Sequence, residues 1–275
     1  MAGRTVIITG ASDGIGAAAA ARLSRSGENV VVVGRSAAKT TAVAARLGVE
    51  YFVADFTDLS QVRRLAEQLL QSYPRIDVLA NNAGRAMRRR EVTVDGHETT
   101  FQVDYLAAFL LTTLLMDRLV ESSATVLNTS SVVNTYFGHV NIDDLDAAHG
   151  YRPLRAYGDA KLAIILFTKE LHRRYHAAGI STAAFHPGDV ATNFGNASRT
   201  WWIRTAFRGP IKFLALVGPE QGSDELVWLA SSIPGTDWRS GEYYANHKIA
   251  RANPRAYDPL LARELWERSL ALVAT

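Results

Sequence analysis

Hydrophobic residues along this chain fall into two alternating kinds of run. Val6-Ile7-Ile8 is short and unbroken, as expected of a strand buried on both faces of a parallel sheet. Further strands are predicted over Asn29 to Gly34, near Tyr51 to Ala54, over Asp77 to Ala80, Thr125 to Asn128, Ile180 to Phe185 and, last, Glu242-Tyr243-Tyr244. The segments between them read as helices. Ala17 to Leu23 is Ala-rich, a later segment carries Val62, Leu65, Leu69 and Leu70, Leu162 to Phe167 is apolar throughout, Pro219-Glu220-Gln221-Gly222 opens a helix through Leu229, and Leu260 to Leu272 is amphipathic. This alternation predicts an α/β fold, a single Rossmann-like doubly wound parallel sheet with flanking helices.

Composition changes that picture little. A chain of 275 residues with 48% hydrophobic content can bury a large core, and without a linker, repeat or low-complexity tract residues 1–275 read as one domain. The absence of Cys removes disulfides, thiol nucleophiles and Cys-based metal sites, and a reducing, cytoplasmic location fits it. The first apolar run, Arg4 to Thr9, is too short and wrongly flanked for a signal peptide or a membrane span, so a soluble intracellular protein with no transmembrane segment is expected. A net charge of +3 gives no reason to expect nucleic acid as a partner. One cluster, Arg85 with Arg88-Arg89-Arg90, reads either as an anion-attracting rim or as a solvated loop.

Candidate chemistry lies where the predicted strands end. Thr9-Gly10-Ala11-Ser12-Asp13-Gly14-Ile15-Gly16 joins the first strand to the first helix. Its glycines permit a tight turn and close approach of a ligand to the backbone, and the helix N-terminus offers N–H groups to a pyrophosphate, so Gly10, Ser12, Asp13, Gly14, Ile15 and Gly16 are candidate dinucleotide contacts. The second strand ends in Arg35-Ser36 rather than in the Asp or Glu that would hold the ribose hydroxyls. A cation there suits a 2′-phosphate, which favours NADP(H) over NAD(H), with Lys39 assisting; the plainer alternative is an Arg capping a loop. The third strand delivers Asp55, followed by Phe56, to the ligand side of the sheet, where Asp55 either accepts from an adenine amino group or, with Asp58, caps the next helix. The fourth ends in Asn81-Asn82-Ala83-Gly84, which suits a backbone that bonds its neighbours while a ribose lies against it.

Tyr157-Gly-Asp-Ala-Lys161 places a phenol and an ammonium four residues apart, on one face of a helix. A fixed cation beside a phenol favours the phenolate, which would let Tyr157 exchange a proton near neutral pH. The bland alternative is a Tyr and a Lys on the exposed face of a buried helix.

Taken together, the Gly motif, Asp55, the Asn-Asn-Ala-Gly run and Tyr157-x-x-x-Lys161 resemble, in order and spacing, the short-chain dehydrogenase/reductase family. Val92-Thr93-Val94-Asp95-Gly96-His97-Glu98, Phe101-Gln102-Val103, Ala163 to Thr168, Gly241-Glu242-Tyr243-Tyr244 and Leu265-Trp266-Glu267 look like its retinol-dehydrogenase-like branch. The resemblance implies hydride transfer between NADP(H) and a carbonyl or alcohol without a metal. It implies that Tyr157 is the catalytic acid/base, that Lys161 holds the cofactor ribose and lowers the Tyr157 pKa, and that Ser131, with Ser130 as the neighbour to be told from it, bonds the substrate oxygen. Asn82, Ala83 and Gly84 would lie against the ribose, Pro187 and Gly188 would pass the nicotinamide, and Val190 and Thr192 would bind its carboxamide. His186 beside that turn is expected to be structural. Family members pair through helices around residues 97–120 and 157–178, which implies a homodimer, although the branch also includes monomers. One position departs: the family has Asn where this chain has Asp104, an acceptor-only carboxylate that would offset the positive field of Lys161 and shift the pH profile.

Resemblance is weakest over residues 196–217. There Trp201, Trp202, Ile203, Phe207, Ile211, Phe213 and Leu214 interleave with Arg199, Arg204, Arg208 and Lys212. A substrate-covering segment, and with it a large lipophilic carbonyl or alcohol substrate, is expected; a peripheral membrane contact is the alternative. A different class of function, an NADP(H)-binding sensor or scaffold with little turnover, is favoured by Asp104 and opposed by Ser131, Tyr157 and Lys161.

Overall fold

The unbroken apolar runs form the middle of one eight-stranded sheet. In the computed structural model, which describes residues 3–188 and 218–274, the strand order is β3-β2-β1-β4-β5-β6-β7-β8. Strands β1 (Thr5–Thr9), β2 (Asn29–Gly34), β3 (Glu50–Val53), β4 (Val78–Asn81), β5 (Thr125–Thr129), β6 (Ser181–Phe185) and β7 (Glu242–Ala245) are parallel. Burial on both faces explains the missing polar alternation. Ile7, Val31, Leu79 and Val126 face one core, while their neighbours Val6, Ile8, Val30, Val32 and Leu127 face the other. Among the described residues strand β3 has one neighbour, β2, and its Tyr51 and Val53 are exposed. An unforeseen strand, β8 (Lys248–Ile249), returns antiparallel on β7 through Asn246 and His247, whose φ values of 52° and 57° suit a two-residue hairpin turn.

Helices α1 (Gly14–Arg25), α2 (Ala37–Leu47) and α3 (Leu59–Ser72) start at Asp13, Ser36 and Asp58, whose side chains accept from backbone N–H groups of the first turn. The short α4 (Thr99–Phe101) runs through one π-helical turn, Gln102–Leu106, into α5 (Ala107–Leu114). That wide turn carries Asp104. After α6 (Met116–Glu121) and α7 (Val133–Phe137) comes the long α8 (Pro153–Tyr175), buried nearly all round from Ala160 to Leu171. The helices α9 (Pro219–Gly222), α10 (Asp224–Ser231) and α11 (Pro259–Val273) complete the described chain.

Helix α11 explains the burial of α8. Its Trp266 stacks on Phe167 of α8 at 5.7 Å and meets Phe109 of α5 edge-on at 5.1 Å, while Ser269 bonds the Tyr105 hydroxyl at 2.7 Å. Helix α11 thus packs on α5 and α8, which overlap the two stretches through which family members pair. Among the described residues no helix is long and apolar enough to cross a membrane.

Candidate active site

Strand order reverses beside β1, and the crevice that such a reversal opens lies at the carboxyl ends of β1 to β4. A cleft of about 340 Å³ occupies this place. Gly10, Ser12, Asp13, Gly14, Ile15, Gly16, Arg35, Ser36, Asp55, Phe56, Asn82, Ala83 and Gly84, all predicted cofactor contacts, line it together with Lys39 and Arg85. Gly10 has φ +66°, and a Cβ there would lie 2.7 Å from the Ala83 Cα. At Gly16 a Cβ would lie 2.6 Å from the Gly10 carbonyl oxygen and 2.7 Å from Asn82 Nδ2. The wall is therefore bare backbone at the N-terminus of α1, which fits a dinucleotide pyrophosphate.

Several candidate residues have structural partners as well. Asp13 accepts from the Gly14 N–H at 2.8 Å and pairs with Lys39 at 3.0 Å, so it caps α1. Asp55 lines the cleft while one of its oxygens accepts from the Thr57 N–H at 3.0 Å and hydroxyl at 2.9 Å; the start of α3 is held instead by Asp58, which accepts from the Ser60 N–H, and by Asp95, which accepts from the Leu59 N–H. Asn82 donates to the Thr9 carbonyl at 2.9 Å, and its own N–H, with that of Ala83, donates to Thr9 Oγ1 at 3.0 and 3.1 Å. Thr9 thus ties β1 to the β4 loop. Sequence reasoning passed over it, although its place directly before Gly10 was the available signal.

The proton-handling residues meet where β5 ends. Ser130 is buried, and its hydroxyl donates to the Lys161 carbonyl at 2.7 Å. Ser131 instead accepts from the Val133 N–H at 3.3 Å and shares a hydrogen bond with Tyr157. The structure thereby separates the two serines, with Ser131 beside the phenol. Lys161, itself buried, lies 5.5 Å from the Tyr157 ring centre and donates to the Thr129 carbonyl at 3.1 Å. Asp104 joins them directly: its Oδ2 stands 3.0 Å from Lys161 Nζ and its Oδ1 accepts from the Arg85 N–H at 2.6 Å. The approach to Oδ2 is a charge contact and not an aligned hydrogen bond.

This pairing changes one expectation. Burial pushes the Tyr157 phenol up, and the charge of Asp104 pushes it further the same way, while the hydrogen bond from Ser131 pulls it down. The expected net lowering is not found, because burial first and the Asp104 charge second both raise the phenol. Burial likewise pushes the Asp104 carboxyl up against the pull of Lys161 and of the Arg85 N–H.

Behind Ser131 lies a network that carried no sequence signal. Asn134 donates to the Ser131 carbonyl at 2.6 Å, and Asn253, 119 residues away, donates its N–H to Asn134 Oδ1 and its side chain to the Asn134 carbonyl, both at 3.0 Å. His186 accepts from the Gly188 N–H at 3.1 Å, and burial pushes its pKa down. Pro187 and Gly188 close the described part of that turn. Val190, Thr192 and the segment 196–217 with Trp201 and Trp202 lie outside the described residues.

Comparison with known proteins places this arrangement. A family model described as short chain dehydrogenase matches residues 4–202. DnrU of Streptomyces sp. (strain C5), to which a daunorubicin C-13 ketoreductase activity is ascribed, is 41% identical over 98% of this chain and 93% of its own. Human retinol dehydrogenase 13 is 36% identical over 98% of this chain and 85% of its own. A crystal structure from Beutenbergia cavernae, ascribed to an NAD(P)-dependent gluconate 5-dehydrogenase with NADP bound at low occupancy, superposes with a TM-score of 0.67 at 28% identity, covering 83% of this chain and 90% of that one.

Proposed function

The chain belongs to the short-chain dehydrogenase/reductase family of oxidoreductases, in its retinol-dehydrogenase-like branch, and on that premise we propose that it moves hydride between NADP(H) and a lipophilic carbonyl or alcohol. The observation that carries the reading is the meeting of Ser131, Tyr157 and Lys161 beside the glycine-lined cleft. The nicotinamide cofactor supplies or takes up the hydride when bound. The Gly10–Gly16 turn would hold its pyrophosphate and Asn82 to Gly84 its ribose, with Lys161 reaching the ribose hydroxyls, and with Asp55 and Phe56 at the adenine end. Pro187, Gly188, Val190 and Thr192 would flank the nicotinamide.

In the reducing direction the Ser131 and Tyr157 hydroxyls donate hydrogen bonds to the substrate carbonyl oxygen. Tyr157 then gives its proton to the developing alkoxide. Arg35, exposed on the cleft rim and without an acidic residue beside it at the end of β2, supports the preference for NADP(H), with Ser36 and Lys39 next to it. The lipophilic substrate is supported by the aromatic and basic composition of residues 196–217 and by relatives named for retinol and for a daunorubicin ketone. We read that segment as a cover for the substrate within one domain.

Consumption of NADPH is the test, against a panel of aliphatic, aromatic, steroid and isoprenoid aldehydes and ketones, with NADH for comparison. Turnover lost by a factor of about 10² or more in Tyr157→Phe, with NADPH binding retained, is the expected outcome. The contact of Asp104 with Lys161 favours a second reading, a cofactor-binding sensor with little turnover. NADPH binding by the unmodified protein without reduction of any carbonyl on the panel would select it.

A further inference from the structure

Asp104 and Lys161 form a buried ion pair one residue layer beneath the cleft. A Cβ on Gly84, which lines the cleft, would come within 3.1 Å of Asp104 Oδ2 and 3.3 Å of Lys161 Nζ, so the pair packs directly against the glycine at the cleft wall. The contacts of Asp104 favour its carboxylate form. Its Oδ1 accepts from the Arg85 N–H at 2.6 Å and its Oδ2 stands 3.0 Å from Lys161 Nζ, and both oppose the upward push of burial on the carboxyl.

The charge on Lys161 is then divided. Its Nζ gives a hydrogen to the Thr129 carbonyl and stands 3.0 Å from Asp104 Oδ2, so the field of Lys161 that would otherwise act on the Tyr157 hydroxyl is met by the Asp104 charge. The remaining ionisable groups facing these residues do not restore it. Glu98, at the start of α4, is buried with its carboxyl pushed up by burial, and Tyr243 of β7 faces Tyr157 as another phenol. Arg85 meets Asp104 through its backbone N–H, and its side-chain charge is the weakest of the effects that favour the carboxylate.

We propose that Asp104 is a positioning residue acting through Lys161: as its counterion, it keeps Tyr157 a phenol to higher pH than a neutral amide at this place would. The inference rests on the roles assigned to Tyr157 and Lys161 above. It concerns the pH range over which the site works, and the equilibrium between carbonyl and alcohol is untouched.

The substitution to make is Asp104→Asn, which keeps the size and removes the charge. Tyrosinate formation in the cofactor-free protein is followed by ultraviolet difference absorption through the alkaline range. Tyr157→Phe, and Asp104→Asn with Tyr157→Phe, serve as blanks that isolate the Tyr157 signal. The expected result is a Tyr157 signal displaced to lower pH by about one unit or more in Asp104→Asn. The pH at which carbonyl reduction falls should move in the same direction, and Asp104→Glu should return it towards the unmodified value. A Tyr157 signal that stays in place or moves to higher pH overturns the proposal, whatever happens to the maximal rate. Thermal melting establishes that the variant is folded, and Asp104→Ser gives the same readout if Asn is not tolerated. If the unmodified protein reduces no carbonyl, the functional reading fails while the absorption titration still decides the role of Asp104.

Discussion

The cofactor cleft and the proton site lie side by side yet are built on different principles. The cleft is made of backbone: a left-handed Gly10, a Gly16 with no room for a Cβ, and N–H groups at the start of α1. The proton site is made of side chains from distant segments, Asp104, Ser131, Tyr157 and Lys161, whose charges fix one another's states. The glycine turn fails first through added bulk, and the side-chain site fails first through a changed charge. Each therefore has its own way of failing.

The sharpest break is Gly16→Val. Its branched side chain would need space that the Gly10 carbonyl and the Asn82 amide already fill, 2.6 and 2.7 Å from the Cβ position. We expect NADPH affinity to fall by about 100-fold, with a loss of about 1–3 kcal/mol in stability from the overpacking. Fluorescence titration of NADPH and thermal melting measure the two effects. This is the mirror image of Tyr157→Phe, which should bind and not turn over. Retained affinity in Gly16→Val would mean that the cofactor lies elsewhere.

That contrast also decides what could be read from the sequence. The cleft was legible because its signals are local: glycines at fixed spacing after a buried strand, an Asn-Asn-Ala-Gly run at the end of another, and Arg35 where an acid would otherwise stand. The members of the proton site were legible through the spacing of Tyr157 and Lys161 and the family resemblance. The opposition of Asp104 to Lys161 was legible as a departure from the family pattern, but the direction of the Tyr157 shift was not. It is set first by burial and then by the Asp104 charge, and neither burial nor the π-helical turn that carries Asp104 is announced by a sequence period. Asn134 and Asn253 were silent for the same reason. A polar pair separated by 119 residues has no pattern until the fold brings it together. Strand β8 was missed because Asn246-His247 is not one of the strong hairpin turn pairs.

Arg35 sharpens the comparison from within the cleft, as a part of it that works through charge. Arg35→Ala should weaken NADPH by about tenfold, in line with the loss of a single partly exposed ionic contact, and leave NADH within about twofold. Parallel KM measurements with the two cofactors check this. An equal loss for both would show that Arg35 serves the loop and not a 2′-phosphate.

The smallest effect concerns what stands behind Asp104. His97 Nδ1 lies 3.2 Å from both oxygens of Asp146, and the ring also bonds the Leu272 carbonyl near the end of α11, so both nitrogens face acceptors and the imidazolium is favoured. Asp146 also accepts from the Glu98 N–H at 2.9 Å, and Glu98 in turn caps the helix that leads into the Asp104 turn. The hydrogen bond to Asp146 is the main cause that raises the His97 pKa above its unfolded value. A raised histidine pKa stabilises the fold fully below the unfolded value of about 6.5, and the contribution is lost as pH climbs through the folded value. The Asp146 carboxyl, held below its ordinary range by His97 and by the Glu98 N–H against the opposing effect of burial, sets the lower edge of the window, where acid would protonate it. His97→Gln should therefore cost about 1 kcal/mol near pH 5.5, a fall of about 2–4 °C in Tm, and distinctly less at pH 8.5. A difference in Tm that is equal at the two pH values would mean that the ring matters for its shape and not for its charge, and the start of the Asp104 helix would then be held by the Asp146 bond to Glu98 alone.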